Sequence, residues 1–399
     1  QARRIARGAA PGPLPAVVRP LGEALGHALA EPLTALTDLP AFDTSAMDGW
    51  AVSGPGPWRL VGEVLAGQTA PMPLSDGTAV RIATGAQLPR GATAVLRREN
   101  GRADGGRLRA LKPLAPGQDI RPRGQECHGG ETLLPAGVLV PPMVLGLAAA
   151  AGHDELPVVT RPTAEILVLG DELLDSGPPR EGRVRDALGP LLGPWLTALG
   201  ADIAAIRRLL DSEAALRDAV EASTADVVIT TGGTAAGPVD HVHPVLAATG
   251  ARLLVDGVAV RPGHPMLLAS LPGGRHLVGL PGNPLAAVSG VLTLAAPLLA
   301  TLAGIAAPEP YTAPLAAEVR GHPTDTRLVP VALTAGEAMP LRFTGPAMLR
   351  GLASADALAV IPPGGAGQAC RPHGRRAEDL RHGPHPLISR RDARQANRS

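Results

Sequence analysis

Apolar and polar positions alternate in three different ways along this chain, and each way predicts its own kind of element. Leu21, Ala24, Leu25, Ala28 and Leu29 recur at helical spacing, predicting helix over much of residues 1–40, limited by Pro32. From Trp58 to Leu114 the period shortens to two. Arg59–Val64, Ala79–Ile82 and Ala94–Leu96 read as short strands between Gly/Pro turns. Val138 to Gly152 returns to apolar helix, so the β segment looks inserted into a helical one.

From Arg161 onward, strands and helices take turns. Strands are expected at Ala164–Leu169, Ala201–Ile206 and Asp226–Thr231, with helices at Leu188–Leu199 and Ser212–Ala222. That alternation predicts a parallel sheet covered by helices. Ser212 is a natural N-cap, whereas Gly189-Pro190 and Gly193-Pro194 predict a short or broken first helix. After Leu302 short strands resume, among them Leu328–Leu333 and Ala357–Ile361. The fold class expected is α/β plus β and multidomain. A linker domain occupies 1–40 plus 128–160, an inserted β domain 41–127, a central parallel-sheet α/β domain 161–306 and a small C-terminal β domain 307–369. The basic, apolar-poor 370–399 tail is expected to be disordered.

Composition narrows the partners. The 399 residues carry a formal net charge of +1 and only 2% aromatics, which argues against nucleic-acid binding. Lys112 is the only lysine, and the arginines are scattered. Cys127 and Cys370 make neither a metal cluster nor a disulfide framework, which fits a reducing cytoplasm. Gln1 to Ala10 lacks the apolar core of a signal peptide. Pro284 to Gly304 is apolar enough to raise a membrane span, but Pro297 and its small neighbours favour a buried helix, so no membrane is expected.

Ligands of open α/β sheets gather outside the carboxyl ends of the strands. Three loops meet that rule here: Gly170-Asp171-Glu172, Thr231-Gly232-Gly233 running on to Asp240, and Leu280-Pro281-Gly282-Asn283-Pro284. Glycine amides and a helix beginning at Pro284 suit an anionic, phosphate-bearing ligand, and Asp240 would act there in chemistry or metal binding. Asp43 and Asp48 near Trp50 read either as turn residues capping amides or as part of a site. Arg121 to Glu126 reads as a loop of both charge signs.

Six motifs in order make the chain resemble the molybdopterin molybdenumtransferase family, which includes the E domain of gephyrin. They are Phe42–Gly49, Arg81–Ala86, Gly170–Leu173, Thr231–Asp240, Arg261-Pro262-Gly263-His264-Pro265 and Leu280–Pro284. The resemblance runs to about Gly365. It implies insertion of molybdate into the dithiolene of adenylylated molybdopterin, with magnesium assisting and AMP released. It implies an elongated homodimer whose site lies between the molybdopterin-binding α/β domain of one subunit and the β region of the other. The catalytic positions it implies are Asp48, Thr84, Glu126 and Asp240. Substrate would meet Asp171, Glu172, Asp186, Thr231, Gly232, Gly233, Arg261, His264, Pro281, Gly282, Asn283 and Pro284, and magnesium would sit on Asp240 and Glu172. Molybdopterin adenylyltransferase, and molybdoenzymes or their chaperones, are the implied partners.

Three departures from the family pattern stand out. Arg261 and His264 replace lysines, Val168-Leu169 replaces Ser-Thr, and Gln125-Glu126 replaces Glu-Asp. They keep open a second reading, a catalytically weak paralogue that carries molybdopterin or the finished cofactor.

Overall fold

The computed structural model describes residues 1–68, 72–234, 241–306 and 312–364. At its centre is a six-stranded sheet in the spatial order Asp202–Leu209, Thr163–Leu169, Val227–Thr231, His276–Leu280, Leu267–Ser270, Arg252–Asp256. The first four strands are parallel, as the alternation predicts. Leu267–Ser270 runs antiparallel to both neighbours, so the sheet is mixed.

Both sheet faces are covered, which is why its strands are apolar throughout. Ile166, Val168 and Ile229 face Leu188, Leu192 and Leu196 of one helix. Leu167, Leu169 and Val228 face Leu216, Ala219 and Val220 of another. Each leucine buried this way contributes about 1.5–3 kcal/mol. Ser212 caps the second helix, its hydroxyl accepting from the Ala215 amide.

The first helix is not broken. Leu188–Ala198 runs unbroken, with Pro194 inside it. Pro190 lies in the first turn, where a missing N–H costs nothing. Gly193 explains the rest: a Cβ there would come within 2.9 Å of Ile206 Cδ1, so glycine lets the helix close onto the sheet.

The Pro284–Leu302 helix is long and apolar enough to cross a membrane, yet 78% of it is buried within the fold. It is α-helical over Pro284–Gly290, π over Val291–Ala295 and α again over Ala296–Leu302. The wider π turn comes just before Pro297, which has no N–H to give.

Residues 1–40 contain less helix than their periodicity predicts. Ala2–Arg7 is helical, but it packs on the Pro284–Leu302 helix of the central domain, burying Ala6. The 21–29 stretch yields only a 3-10 turn, Leu21–Glu23. Gly26 adopts φ +76°, outside the helical region, and stops it there. Ala24 and Leu29 are still buried, against Val144 and Ala148 of the Pro142–Ala150 helix, whereas Leu25 is exposed. The chain around them pairs as strand, Ala16–Pro20 against Glu155–Val159.

The inserted segment forms its own six-stranded sheet, ordered Ala94–Arg97, Gly49–Val52, Thr78–Ile82, Trp58–Val64, Arg107–Ala110, Gly101–Asp104. In the C-terminal part, Thr326–Thr334 pairs with Glu337–Pro340 and Ala357–Ile361. It also pairs in parallel with Val260–Arg261, which ties this part to the central domain. The 370–399 tail lies outside the described residues.

Candidate functional site

The three strand-end loops converge. The Gly232 amide donates to the Leu280 carbonyl at 2.8 Å, so the loop after Val227–Thr231 is bonded to the end of the neighbouring strand. A Cβ on Gly282 would lie 3.7 Å from the Gly232 Cα, and one on Gly232 would lie 3.3 Å from the Leu169 carbonyl. Gly232 and Gly233 both take positive φ, +87° and +64°. Side chains are disfavoured in that region, which explains a Gly-Gly pair at this turn. The amides of Gly233, Gly282 and Asn283 donate to nothing among the described residues. Thr231 is buried at the strand end. Asp240 lies outside the described residues.

The helix after Asn283 offers less to an anion than its sequence predicts. Pro284 has no N–H, the Leu285 amide donates to the Pro346 carbonyl at 2.9 Å, and the Ala287 amide donates to the Asn283 carbonyl at 2.8 Å. The Leu285 donor is thus spent within the protein, while the Ala287 bond is the ordinary first bond of the helix. Among the described residues, the amides left without an acceptor are those of Gly233, Gly282 and Asn283 in the loops and Ala286 in the first turn.

Arg261 and His264 each make a bond within the protein. The Arg261 Nε donates to Asp325 Oδ2 at 2.7 Å. That bond, from a neighbouring guanidinium, is the main reason the Asp325 carboxyl sits below the usual carboxylate range; burial opposes it and the Thr324 hydroxyl adds to it. His264 Nδ1 lies 2.8 Å from the Val258 carbonyl. A carbonyl only accepts, so that nitrogen carries the proton and Nε2 remains outward. Their loop packs on the helix start: a Cβ on Gly263 would lie 3.0 Å from Ser289 Cβ and 3.1 Å from the Ala286 carbonyl.

Around the first loop the acidic groups hold backbone. Asp186 Oδ1 accepts from the Leu188 and Gly189 amides at 2.9 and 3.1 Å, capping the Leu188–Ala198 helix. Asp171 and Asp211 exchange side-chain-to-amide bonds at 3.3 and 3.4 Å. Arg208 Nη2 donates to the Gly170 carbonyl and Nη1 to Asp175. Glu172 is exposed, and a Cβ on Gly170 would meet its carboxylate. Among the described residues no group of three His, Cys, Asp or Glu is spaced to hold a metal ion. Magnesium needs only one or two carboxylates beside phosphate oxygens. Asp171 and Glu172 fit that lesser requirement. Val168 and Leu169 are the last residues of a strand, buried in opposite cores, and do not belong to the loop.

The inserted domain assembles a second cluster. Asp48 Oδ1 accepts from the Thr84 amide at 2.7 Å and from the Thr84 hydroxyl at 2.8 Å. These two bonds, the amide's first, lower the Asp48 carboxyl below its usual range. Asp43 Oδ1 accepts from the Arg123 amide, and Asp38 binds the Arg123 side chain. Capping by Asp43 and Asp48 is therefore real, but it joins separate loops instead of closing one turn. Glu126 is exposed, and its carboxylate has no partner among the described residues. Among the described residues, no hydrogen bond or ion pair links 41–127 to the strand-end loops.

Two structural residues were not singled out by sequence reasoning. Asp325 sits in an unremarkable His-Pro-Thr-Asp-Thr stretch, and nothing local marks it as Arg261's partner. His276 is buried, with Nε2 3.2 Å from the Ala9 carbonyl and Nδ1 unpartnered. A histidine inside an apolar strand was the available signal.

Comparison with known proteins finds matches over most of the chain. Residues 1–152 match the MoeA N-terminal region (domain I and II), 165–301 a probable molybdopterin binding domain, and 312–370 the MoeA C-terminal region (domain IV). A molybdopterin molybdenumtransferase of Nostoc sp. is 31% identical over 301 residues, covering 72% of this chain and 69% of that one. One from Staphylococcus aureus is 29% identical over 373 residues, 89% of each. The crystal structure of the molybdopterin biosynthesis moeA protein from Pyrococcus horikoshii aligns with a TM-score of 0.71 at 26% identity, covering 90% of this chain and 93% of that one. A crystal structure of a molybdopterin biosynthesis moeA protein from Pyrococcus horikoshii OT3 aligns with a TM-score of 0.77 at 24% identity, a likeness of fold.

Proposed function

Because this chain belongs to the molybdopterin molybdenumtransferase family, we propose that it inserts molybdate into the dithiolene of adenylylated molybdopterin, releasing AMP and molybdenum cofactor. It is an enzyme of molybdenum cofactor biosynthesis. The adenylylated substrate, the AMP and the need for magnesium are the proposal. The observation that carries it is the convergence of the Gly170, Gly232 and Gly282 loops, held by the Gly232-to-Leu280 bond.

The chemistry follows from what those loops offer. Cleaving an adenylyl pyrophosphate places charge on phosphate oxygens. The unspent amides of Gly233, Gly282 and Asn283 are fixed donors for such oxygens. Bound by Asp171 and Glu172, magnesium would neutralise the same charge. Molybdenum is substrate here, held by the pterin's own sulfurs.

We further propose that the working site lies between two subunits. Among the described residues, Asp48, Thr84 and Glu126 make no hydrogen bond or ion pair with the strand-end loops of their own subunit. A twofold partner would bring the inserted domain of one copy to the loops of the other. A cytoplasmic setting, with a molybdopterin adenylyltransferase upstream and molybdoenzymes or their chaperones downstream, belongs to the same reading.

One observation favours the alternative of an idle carrier: Arg261 is already committed to Asp325. The decisive assay measures AMP release from adenylylated molybdopterin with and without molybdate and magnesium. Release dependent on both, abolished by Asp240→Asn, supports the enzyme. Tight pterin binding with no release in the wild type supports the carrier.

A further inference from the structure

The segment from Arg342 to Arg350 stands directly beside the strand-end loops. Its Pro346 carbonyl accepts the Leu285 amide, one residue into the helix that follows Asn283. The short Arg350–Ser354 helix after it buries Leu352 in the central domain's own core, together with Leu328 and Leu358. This segment is thus fixed relative to the loops, not hung from a separate domain.

Within it, Phe343 is held in an unusual state. Its φ is +66°, in the left-handed region that an aromatic side chain rarely adopts. Gly351 is what allows it: a Cβ there would collide with the Phe343 carbonyl and lie 3.0 Å from that of Arg342. The Arg350 guanidinium covers one face of the ring, 4.6 Å from its centroid. The side chain is nonetheless 42% exposed. Strain of this kind persists where surrounding structure imposes it, and it is concentrated at ligand sites. The other described aromatics lie elsewhere. Phe42, Trp50 and Trp58 belong to the inserted domain, and Trp195 lies in the far half of its helix.

We propose that Phe343, backed by Arg350, is a stacking subsite for a planar heteroaromatic ring of the ligand gripped by the strand-end loops, and so determines specificity. This rests on the reading of that ligand as a nucleotide-linked pterin. An aromatic face with a guanidinium behind it suits the flat, polarisable rings at either end of such a molecule. Phosphate oxygens held by the loop amides would leave a ring free to reach it.

The test uses full-length protein, adenylylated molybdopterin and, separately, AMP. Phe343→Gly keeps the left-handed backbone and removes only the ring; Phe343→Ala removes the ring and keeps the strain. Both are expected to raise KM for adenylylated molybdopterin about tenfold, with kcat within twofold of wild type. Phe343→Trp is expected to retain binding and to lose fluorescence as ligand is added. AMP alone quenching that signal assigns the adenine ring; quenching only by the pterin assigns the other end. Unchanged KM in Phe343→Gly, in an enzyme whose wild type releases AMP, overturns the subsite and leaves the activity standing. Quenching of Phe343→Trp in a protein that releases no AMP supports the subsite and overturns the activity. A KM raised in Phe343→Ala but normal in Phe343→Gly traces the effect to backbone strain and also overturns the subsite.

Discussion

Arg261 and Asp325, sixty-four positions apart, are joined by a 2.7 Å bond from Nε to Oδ2, beside a short parallel pairing of Val260–Arg261 with Thr326–Arg327. The motif arginine is therefore a clamp between the central and C-terminal parts. Asp325→Asn is expected to lower the melting temperature by about 2–4 °C at pH 7. The Asp325 carboxyl is held below its ordinary value of 3.8, so its contribution is fully present above that value and is lost as pH falls through the depressed one. The gap between wild type and variant should be constant from pH 5 to 8 and close in stronger acid. Thermal melts across that range measure it; a gap that widens in acid would contradict the clamp.

Asp48 gives the sharpest test of a shared site. Its carboxylate fixes the Thr84 amide and hydroxyl, and among the described residues no hydrogen bond or ion pair connects that cluster to Glu172. Asp48→Asn and Glu172→Gln should each reduce AMP release at least tenfold as homodimers. Mixed in equal amounts after subunit exchange, they should recover about a quarter of wild-type activity. Half the dimers would then be mixed, each with one intact site. No recovery from a mixture shown to have exchanged would place both residues in a site within one subunit.

Val168 occupies a position where the family pattern has a hydroxyl. It is buried between the sheet and the Leu188–Ala198 helix. Val168→Thr should cost about 1–3 kcal/mol by burying a hydroxyl among apolar neighbours, and should not raise AMP release. Denaturant melts and initial rates decide it. A variant as stable as wild type and more active would show that the hydroxyl reaches the ligand.

How far the sequence alone was legible depends on whether an element is specified locally. The βα units of the central domain are: the runs Ala164–Leu169 and Val227–Thr231 carry a near-continuous apolar signal that only a two-sided sheet produces. Asp186 could not be read from its neighbours as a cap, because the amides it binds belong to a helix that its Gly-Pro pairs seem to forbid. That helix forms because Gly193 lets it sit on Ile206, a contact between residues distant in the chain. The same limit explains residues 21–29. Their spacing marked Ala24, Ala28 and Leu29 as buried but missed that Leu25 is exposed, whereas Gly26 and the pairing of Ala16–Pro20 with Glu155–Val159 decided the backbone. The loops were found because glycines betray their positive φ. The partners of Arg261, Leu285 and His276 were not, because each comes from another part of the fold.

His276 predicts a second pH dependence. Burial lowers its affinity for a proton below the ordinary value of 6.5, against the opposing pull of the Ala9 carbonyl and Asp226. In the unfolded chain it protonates near that ordinary value. The unfolded state therefore binds more protons below about pH 6.5, and stability falls as pH drops through that window. His276→Gln should flatten the slope of stability against pH below the ordinary value of 6.5. It should also loosen the N-terminal segment, whose Ala9 carbonyl it holds, seen as faster amide exchange in residues 2–10. An unchanged slope would mean the ring is protonated in the folded protein.

Gly232 lies where the backbone geometry leaves little room for a side chain. Its φ of +87° and the 3.3 Å between a Cβ and the Leu169 carbonyl both oppose any side chain. Gly232→Ala should cost about 1–2 kcal/mol from the backbone alone. The larger effect should be on function, since relieving that strain turns the loop and breaks the amide-to-Leu280 bond that aligns it with Gly282. AMP release should fall at least tenfold, with KM rising because phosphate oxygens lose their aligned donors. Leu192→Ala supplies the comparison. It removes a core leucine far from the loops, costs as much stability or more, and should leave KM unchanged. Equal changes in KM for the two variants would show that the loop answers to global stability and not to its own alignment.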